Sequence, residues 1–152
     1  MDQILETAAV RYASSVSSKK RLLQDIAEHA QSIHDIPAEE VFAALQAREN
    51  LGTTGVGRGV AIPHARFESI TRIVGLFTRL EKPVAFDALD KQPVDLVFTL
   101  LAPTADNPEH LKALALVSRT LRQEAICAKL RANTDAQTLY SILAEDSASK
   151  AA

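Results

Sequence analysis

Four of the chain's five glycines fall between Gly52 and Gly59, in the segment LGTTGVGRGVAIPHAR (residues 51–66), which runs on into Pro63-His64. A neutral imidazole is a nucleophile near physiological pH and can carry a covalent intermediate, so His64 is the residue to weigh first. Thr53 and Thr54 add hydroxyl donors just upstream of it. Gly55 and Gly57 supply backbone that can turn sharply and present its amides as an anion-binding concavity. Arg48 offers a planar guanidinium fork matched to phosphate, and Pro63 stiffens the chain that holds the imidazole. Phosphoryl transfer asks mainly for positioning and for stabilisation of charge on the equatorial oxygens. These residues therefore describe a phosphoryl-accepting site; the plain alternative is a structural histidine beside a tight turn.

The nucleotide motifs do not fit. A Walker A loop needs Gly-Lys-Ser/Thr after its spacer, whereas Gly57 is followed by Arg58-Gly59, and a strand rather than a helix is expected next. The dinucleotide fingerprint fails on spacing and on the same missing helix. A second histidine, His110, lies about three residues into a helix predicted to open at Asn107-Pro108, beyond the strand VDLVFTLLAP. Loops at the carboxyl ends of strands are favoured site positions in open α/β sheets, and a helix N-terminus biases an imidazole toward neutral while welcoming an anion. His110 is thus a candidate partner for a phosphoryl group on His64, or else an exposed first-turn residue. His29 and His34, in or just after the first helix, read as plain surface residues. The single cysteine, Cys127, excludes an internal disulfide and reads as a small core residue.

The elements that must position these residues follow from periodicity. SSKKRLLQDIAEHAQSI reads as a helix opening at a Ser cap, with Leu22, Leu23, Ile26 and Ala30 on one face. PAEEVFAALQAREN reads as a second helix with Pro37, Glu39 and Glu40 at its start and Arg48 and Glu49 in its last turn. GVAIPHA, RIVGLFTRL and VDLVFTLLAP are strand-like, with EKPVAFDALDKQP as a short strand and turn. PEHLKALALVSRTLRQ, continued by EAICAKLRAN, and then TDAQTLYSILAED, capped near Thr134 or Asp135, are helical. The order implies an α/β layered sandwich with a mixed central β-sheet flanked by helices. Residues 1–152 are read as one domain, with about 145–152 a frayed tail.

At 152 residues, 47% apolar and 24% charged, the chain has the composition of a soluble globular domain. A net charge of −2 without basic clustering argues against nucleic acid and against docking on anionic lipid. No signal peptide and no bilayer-length apolar run is present, so a reduced, cytoplasmic setting is expected. No metal or cofactor is expected, and no feature specifies an oligomeric state.

AREN-LGTTGVGRGVAIPHAR resembles the active-site signature of enzyme IIA domains of the fructose/mannitol class in the bacterial phosphoenolpyruvate-dependent phosphotransferase system. QPVDLVFTLLAP followed by EHLKALALVSRTLR is similar to that family's second signature. RLEKPVAFDALDKQPVDLVF looks most like its nitrogen-regulatory branch. The resemblance implies that a histidine phosphocarrier protein phosphorylates His64, that Arg48 and His110 support the phosphoryl group, and that the fold is a mixed sheet flanked by helices. It implies a phosphocarrier or regulator acting on target proteins rather than a metabolic enzyme. Glu49 matches the acidic neighbour of the arginine and receives no role. Arg58 departs from the small polar residue often found there, and its charge would strengthen anion binding or alter carrier docking. Phe67 is a candidate apolar contact for that docking and equally a candidate core residue. The alternatives are a sugar-transporting enzyme IIA that passes its phosphoryl group to a separate enzyme IIB, a non-catalytic anion-binding module, and, less well supported, a metal site at His64 and His110.

Overall fold

Residues Leu96 to Ala102 are buried without interruption. Consecutive rather than alternating burial is what a strand covered on both faces requires. The computed structural model describes residues 1–104 and 108–151, with side chains as far as Glu145. The elements are β1 (Leu5–Ala13), α1 (Lys19–His34), α2 (Ala38–Asn50), β2 (Gly55–Gly57), β3 (Val60–Ala61), β4 (His64–Phe67), β5 (Val74–Val84), β6 (Val94–Pro103), α3 (Pro108–Leu121), α4 (Glu124–Arg131) and α5 (Ala136–Ala151).

The sheet runs β1-β5-β6-β3-β2, with β4 also on β6. β1 is parallel to β5, β5 antiparallel to β6, and β3 and β4 both parallel to β6, so the sheet is mixed as expected. Along one edge of β6, Val60 and Ala61 pair with Leu96 and Val97, and His64 to Phe67 pair with Leu100 to Pro103. β3 and β4 are thus one edge interrupted at Ile62-Pro63, where proline has no N–H to give the ladder. The Pro63 carbonyl still accepts from the Leu100 N–H (2.9 Å), so the interruption is held flush. Helices α1 and α2 pack on each other, α1 against β1 and β5 and α2 against β4; α3, α4 and α5 pack together, with α3 on β6 and α5 on β1. One buried apolar cluster runs from Met1 to Leu143, with Phe77 and Phe98 tilted together across β5 and β6 (6.2 Å between ring centres).

Several local expectations hold. Ser18 caps α1 by accepting from the Arg21 N–H (3.1 Å), and Asp135 accepts from the N–H and hydroxyl of Thr138 (3.0 Å each) at the start of α5. Others are revised. β1 was not anticipated, because LETAAVRYA mixes alanine with few β-branched residues and shows no clean alternation. EKPV belongs to β5 rather than to a separate strand. EAICAKLRAN is not a continuation of α3 but a distinct helix, α4, after a break at Arg122 and Gln123. α5 continues to Ala151 through the segment expected to fray. The expected opening of α3 at Asn107 lies outside the described residues.

Candidate active site

His64 is the first residue of β4, immediately after the Ile62-Pro63 interruption. Its Nδ1–H donates to the Ile62 carbonyl (2.9 Å). A carbonyl can only accept, so Nδ1 carries the proton and Nε2 keeps the lone pair. The Ile62 N–H in turn donates to the Thr54 carbonyl (3.0 Å), which ties the residue orienting His64 to the glycine-rich segment.

Two other candidate residues converge on this ring. Arg48 occupies the last turn of α2, which packs on β4, and its Nη1 donates to the Gly52 carbonyl (2.8 Å). His110 is the third residue of α3, with its ring centre 6.0 Å from that of His64 and the planes tilted by 51°. Arg48, His64, Arg66, His110, Leu51 and Leu111 line an open recess of about 570 Å³. His110 is not the exposed first-turn residue that was one reading: only 6% of it is accessible, and among the described residues its Nδ1 has no hydrogen-bond partner. Burial, then the Arg66 and His64 charges, hold its pKa below the usual 6.5, so neutral imidazole is the favoured form. The recess is therefore lined by two imidazoles, that of His110 neutral, together with the side chains of Arg48 and Arg66.

The glycine-rich stretch from Gly52 to Gly59 lies apart from this recess. None of Thr53, Thr54, Gly55 and Gly57 lines the recess. The Thr53 hydroxyl donates to the Phe86 carbonyl (3.2 Å) and accepts from the Gly55 N–H (3.0 Å). The Thr54 N–H donates to Glu49 Oε1 (3.0 Å), and its hydroxyl donates to Glu49 Oε2. Gly55 is needed because a Cβ there would stand 2.8 Å from the Ala88 Cβ. Gly59 has φ +79° and would collide with Arg131 and Asp95 if it carried a side chain. The donors and close approaches belong to the protein's own packing.

Arg58 and Gly59 form the two-residue turn between β2 and β3, where Gly57 pairs with Val60. Both have positive φ (57° and 79°), the mirror-image turn that suits the twist of a tight hairpin. The Arg58 N–H donates to Asp90 Oδ2 (2.9 Å) and its guanidinium reaches Glu124 (3.4 Å), so its charge does not line the His64 recess. Phe67 is buried in the core and is not a docking contact. The exposed large apolar groups lining the recess are Leu51, 85% exposed, and Leu111, 66% exposed; helical spacing puts Leu111 with the apolar face of Leu114, Val117 and Leu121, and neither residue stands out from the sequence as part of a site. Arg66 was passed over as well; it lies two residues beyond His64 on a strand and so shares its face. His29 and His34 are half-buried rather than plain surface residues, and the His29 Nε2–H donates to the Ala8 carbonyl of β1 (3.0 Å). Cys127 is buried, as expected. Among the described residues, no third metal-binding side chain joins His64 and His110, and no helix is long and apolar enough to cross a membrane.

The profile of the phosphoenolpyruvate-dependent sugar phosphotransferase system EIIA 2 family matches residues 3–146. A Nitrogen regulatory protein of Bradyrhizobium diazoefficiens is 50% identical over 136 residues, covering 90% of this chain and 89% of that one. The Nitrogen regulatory protein of Escherichia coli is 42% identical over 146 residues, covering 95% and 90%. Among solved structures, nitrogen regulatory protein IIA-Ntr from Neisseria meningitidis superposes with a TM-score of 0.87 at 37% identity, covering 93% of this chain and 97% of that one.

Proposed function

The chain belongs to the EIIA 2 family of the phosphoenolpyruvate-dependent sugar phosphotransferase system, and from that membership we propose that it is a regulatory protein phosphorylated on His64 by a histidine phosphocarrier. The observation that carries the reading is the His64 Nδ1–H bond to the Ile62 carbonyl, which leaves Nε2 as the reacting nitrogen in a recess shared with Arg48 and His110. In the transfer, the His64 Nε2 lone pair attacks phosphorus, and the bond from phosphorus to the carrier's imidazole nitrogen breaks. The carrier leaves as a neutral imidazole, keeping the proton on its other nitrogen. His64 keeps its own proton on Nδ1, where the Ile62 carbonyl offsets the positive charge that develops on the ring. Arg48 supplies charge and directed N–H groups to the equatorial oxygens. His110, buried and neutral, can donate a ring N–H to an oxygen of the same group.

Phosphorylation places a doubly charged phosphoryl group on a ring that, with Nδ1 still protonated, carries one positive charge, so a neutral ring gives way to a net charge of about −1. Regulation follows from that change on a face rimmed by Leu51 and Leu111, which suits contact with the carrier and with target proteins in turn. The relatives named Nitrogen regulatory protein support this reading over sugar transport. The test is intact-mass analysis after incubation with phosphoenolpyruvate, enzyme I and the phosphocarrier, without nucleotide. Wild type should gain one phosphoryl group and His64→Ala none; an equal gain in both would refute the assignment. A sugar-specific enzyme IIB that rapidly drained the phosphorylated protein would assign transport instead.

A further inference from the structure

Glu49 is a carboxylate with 1% of its side chain accessible, one residue from Arg48, and the transfer step just described does not use it. Both of its oxygens are engaged. Oε1 takes the Thr54 N–H (3.0 Å) and the Lys19 ammonium (3.0 Å), while Oε2 takes the Thr54 hydroxyl. Lys19 itself, at the start of α1, stands 4.4 Å from the centre of the Phe86 ring, and Phe86 supplies the carbonyl that accepts from Thr53. One buried carboxylate therefore joins α1, the last turn of α2 and the segment that leads into β2.

Two branches run from that junction to the recess. In one, the turn from Glu49 to Thr54 contains Gly52, whose N–H donates to the Glu49 carbonyl (3.1 Å) and whose own carbonyl accepts from Arg48 Nη1 (2.8 Å). In the other, the Thr54 carbonyl accepts from the Ile62 N–H, and the Ile62 carbonyl accepts from His64 Nδ1–H. We propose that Glu49 is a positioning residue that sets both the orientation of Arg48 and the tautomer of His64. The proposal rests on the phosphoryl-acceptor reading for its consequence but not for its geometry. If Thr54 shifts, Ile62 loses its anchor, and the His64 ring is free to take the Nε2–H form, whose recess nitrogen has no lone pair with which to attack. A buried ion pair is weak evidence for stability, and its best-attested use is to specify one arrangement of the groups around it.

The test is Glu49→Gln, which keeps the shape but replaces an acceptor oxygen with an N–H group facing either Lys19 or Thr54. Two readouts are needed: phosphoryl transfer from the carrier, and the ring nitrogen NMR shifts of His64 in the unphosphorylated protein above its titration. The expected result is transfer slowed by about tenfold or more in kcat, with KM for the carrier within about twofold. The His64 signals should move from the Nδ1–H pattern toward a mixture. In an Arg48→Ala background the same change should slow transfer by less than in wild type, because one of the two groups it positions is gone. Thr54→Val, which leaves the Glu49–Lys19 pair intact, should act in the same direction more weakly, and it serves if Glu49→Gln does not fold. Wild-type rates, or slowed transfer with an unchanged tautomer, would overturn the proposal. A wild-type protein that accepts no phosphoryl group would refute the functional reading while leaving the tautomer measurement to decide the positioning role.

Discussion

In the transfer we propose, one hydrogen bond at His64 selects the ring nitrogen that reacts, and one more at Arg48 holds its guanidinium beside the recess. Lysine at position 48 keeps the charge but has no planar fork with which to reach the Gly52 carbonyl and a phosphoryl oxygen together. Arg48→Lys should therefore slow transfer by about tenfold or more with the fold unchanged, measured as single-turnover rates from the phosphorylated carrier. Wild-type rates would remove Arg48 from the site. That His64, His110 and Arg48 line one recess was legible in the sequence, because their types and the family's motif mark them as candidates. The partners of the threonines were not legible, for a physical reason: a hydroxyl next to a turn bonds to the nearest acceptor of its own chain. For Thr53 and Thr54 those acceptors are the Phe86 carbonyl and Glu49, brought in by tertiary packing that spacing does not reveal.

At the level of elements, the β2–β3 hairpin carries Arg58 in the left-handed region (φ 57°), where asparagine and glycine fit better. Its ion pair to Glu124 is between two largely exposed side chains and contributes little. Arg58→Asn should raise the free energy of unfolding by about 1 kcal/mol in urea titrations, without changing phosphoryl transfer. A loss of stability would show that the guanidinium contributes more than the backbone costs. The packing of α1 on β1 makes a second prediction. Burial, as the leading cause, lowers the pKa of His29 and His34 from 6.5, and His110 shifts the same way. A lowered folded pKa gives stability that is present above about 6.5 and is lost as pH falls through the folded value. The urea midpoint should therefore drop between pH 7.5 and 5, and His29→Gln should shallow that drop; an unchanged slope would contradict it. β1 itself was hidden because it is an edge strand whose alanines gain strand character only by pairing with β5, whereas the continuous apolar run of β6 announced a doubly covered strand.

For the whole molecule, the layered mixed sheet was readable from element order, but which exposed side chains share the His64 face was not. Leu51 and Leu111 come from α2's end and α3's start and meet only in the fold. Leu51→Ser with Leu111→Ser should raise KM for the carrier by about tenfold while kcat holds, since the pair would act in docking and not in chemistry. An unchanged KM would place carrier docking elsewhere. The central claim is narrower: the fold presents His64 Nε2, and no other ring nitrogen, to a donor's phosphoryl group. The most direct test is phosphorus–nitrogen coupling in NMR spectra of the nitrogen-15-labelled protein after phosphorylation through the carrier. The account predicts phosphorus bonded to Nε2 of His64, with the Nδ1 proton still held by the Ile62 carbonyl. Phosphorus on Nδ1 of His64, or on any other histidine, would contradict it.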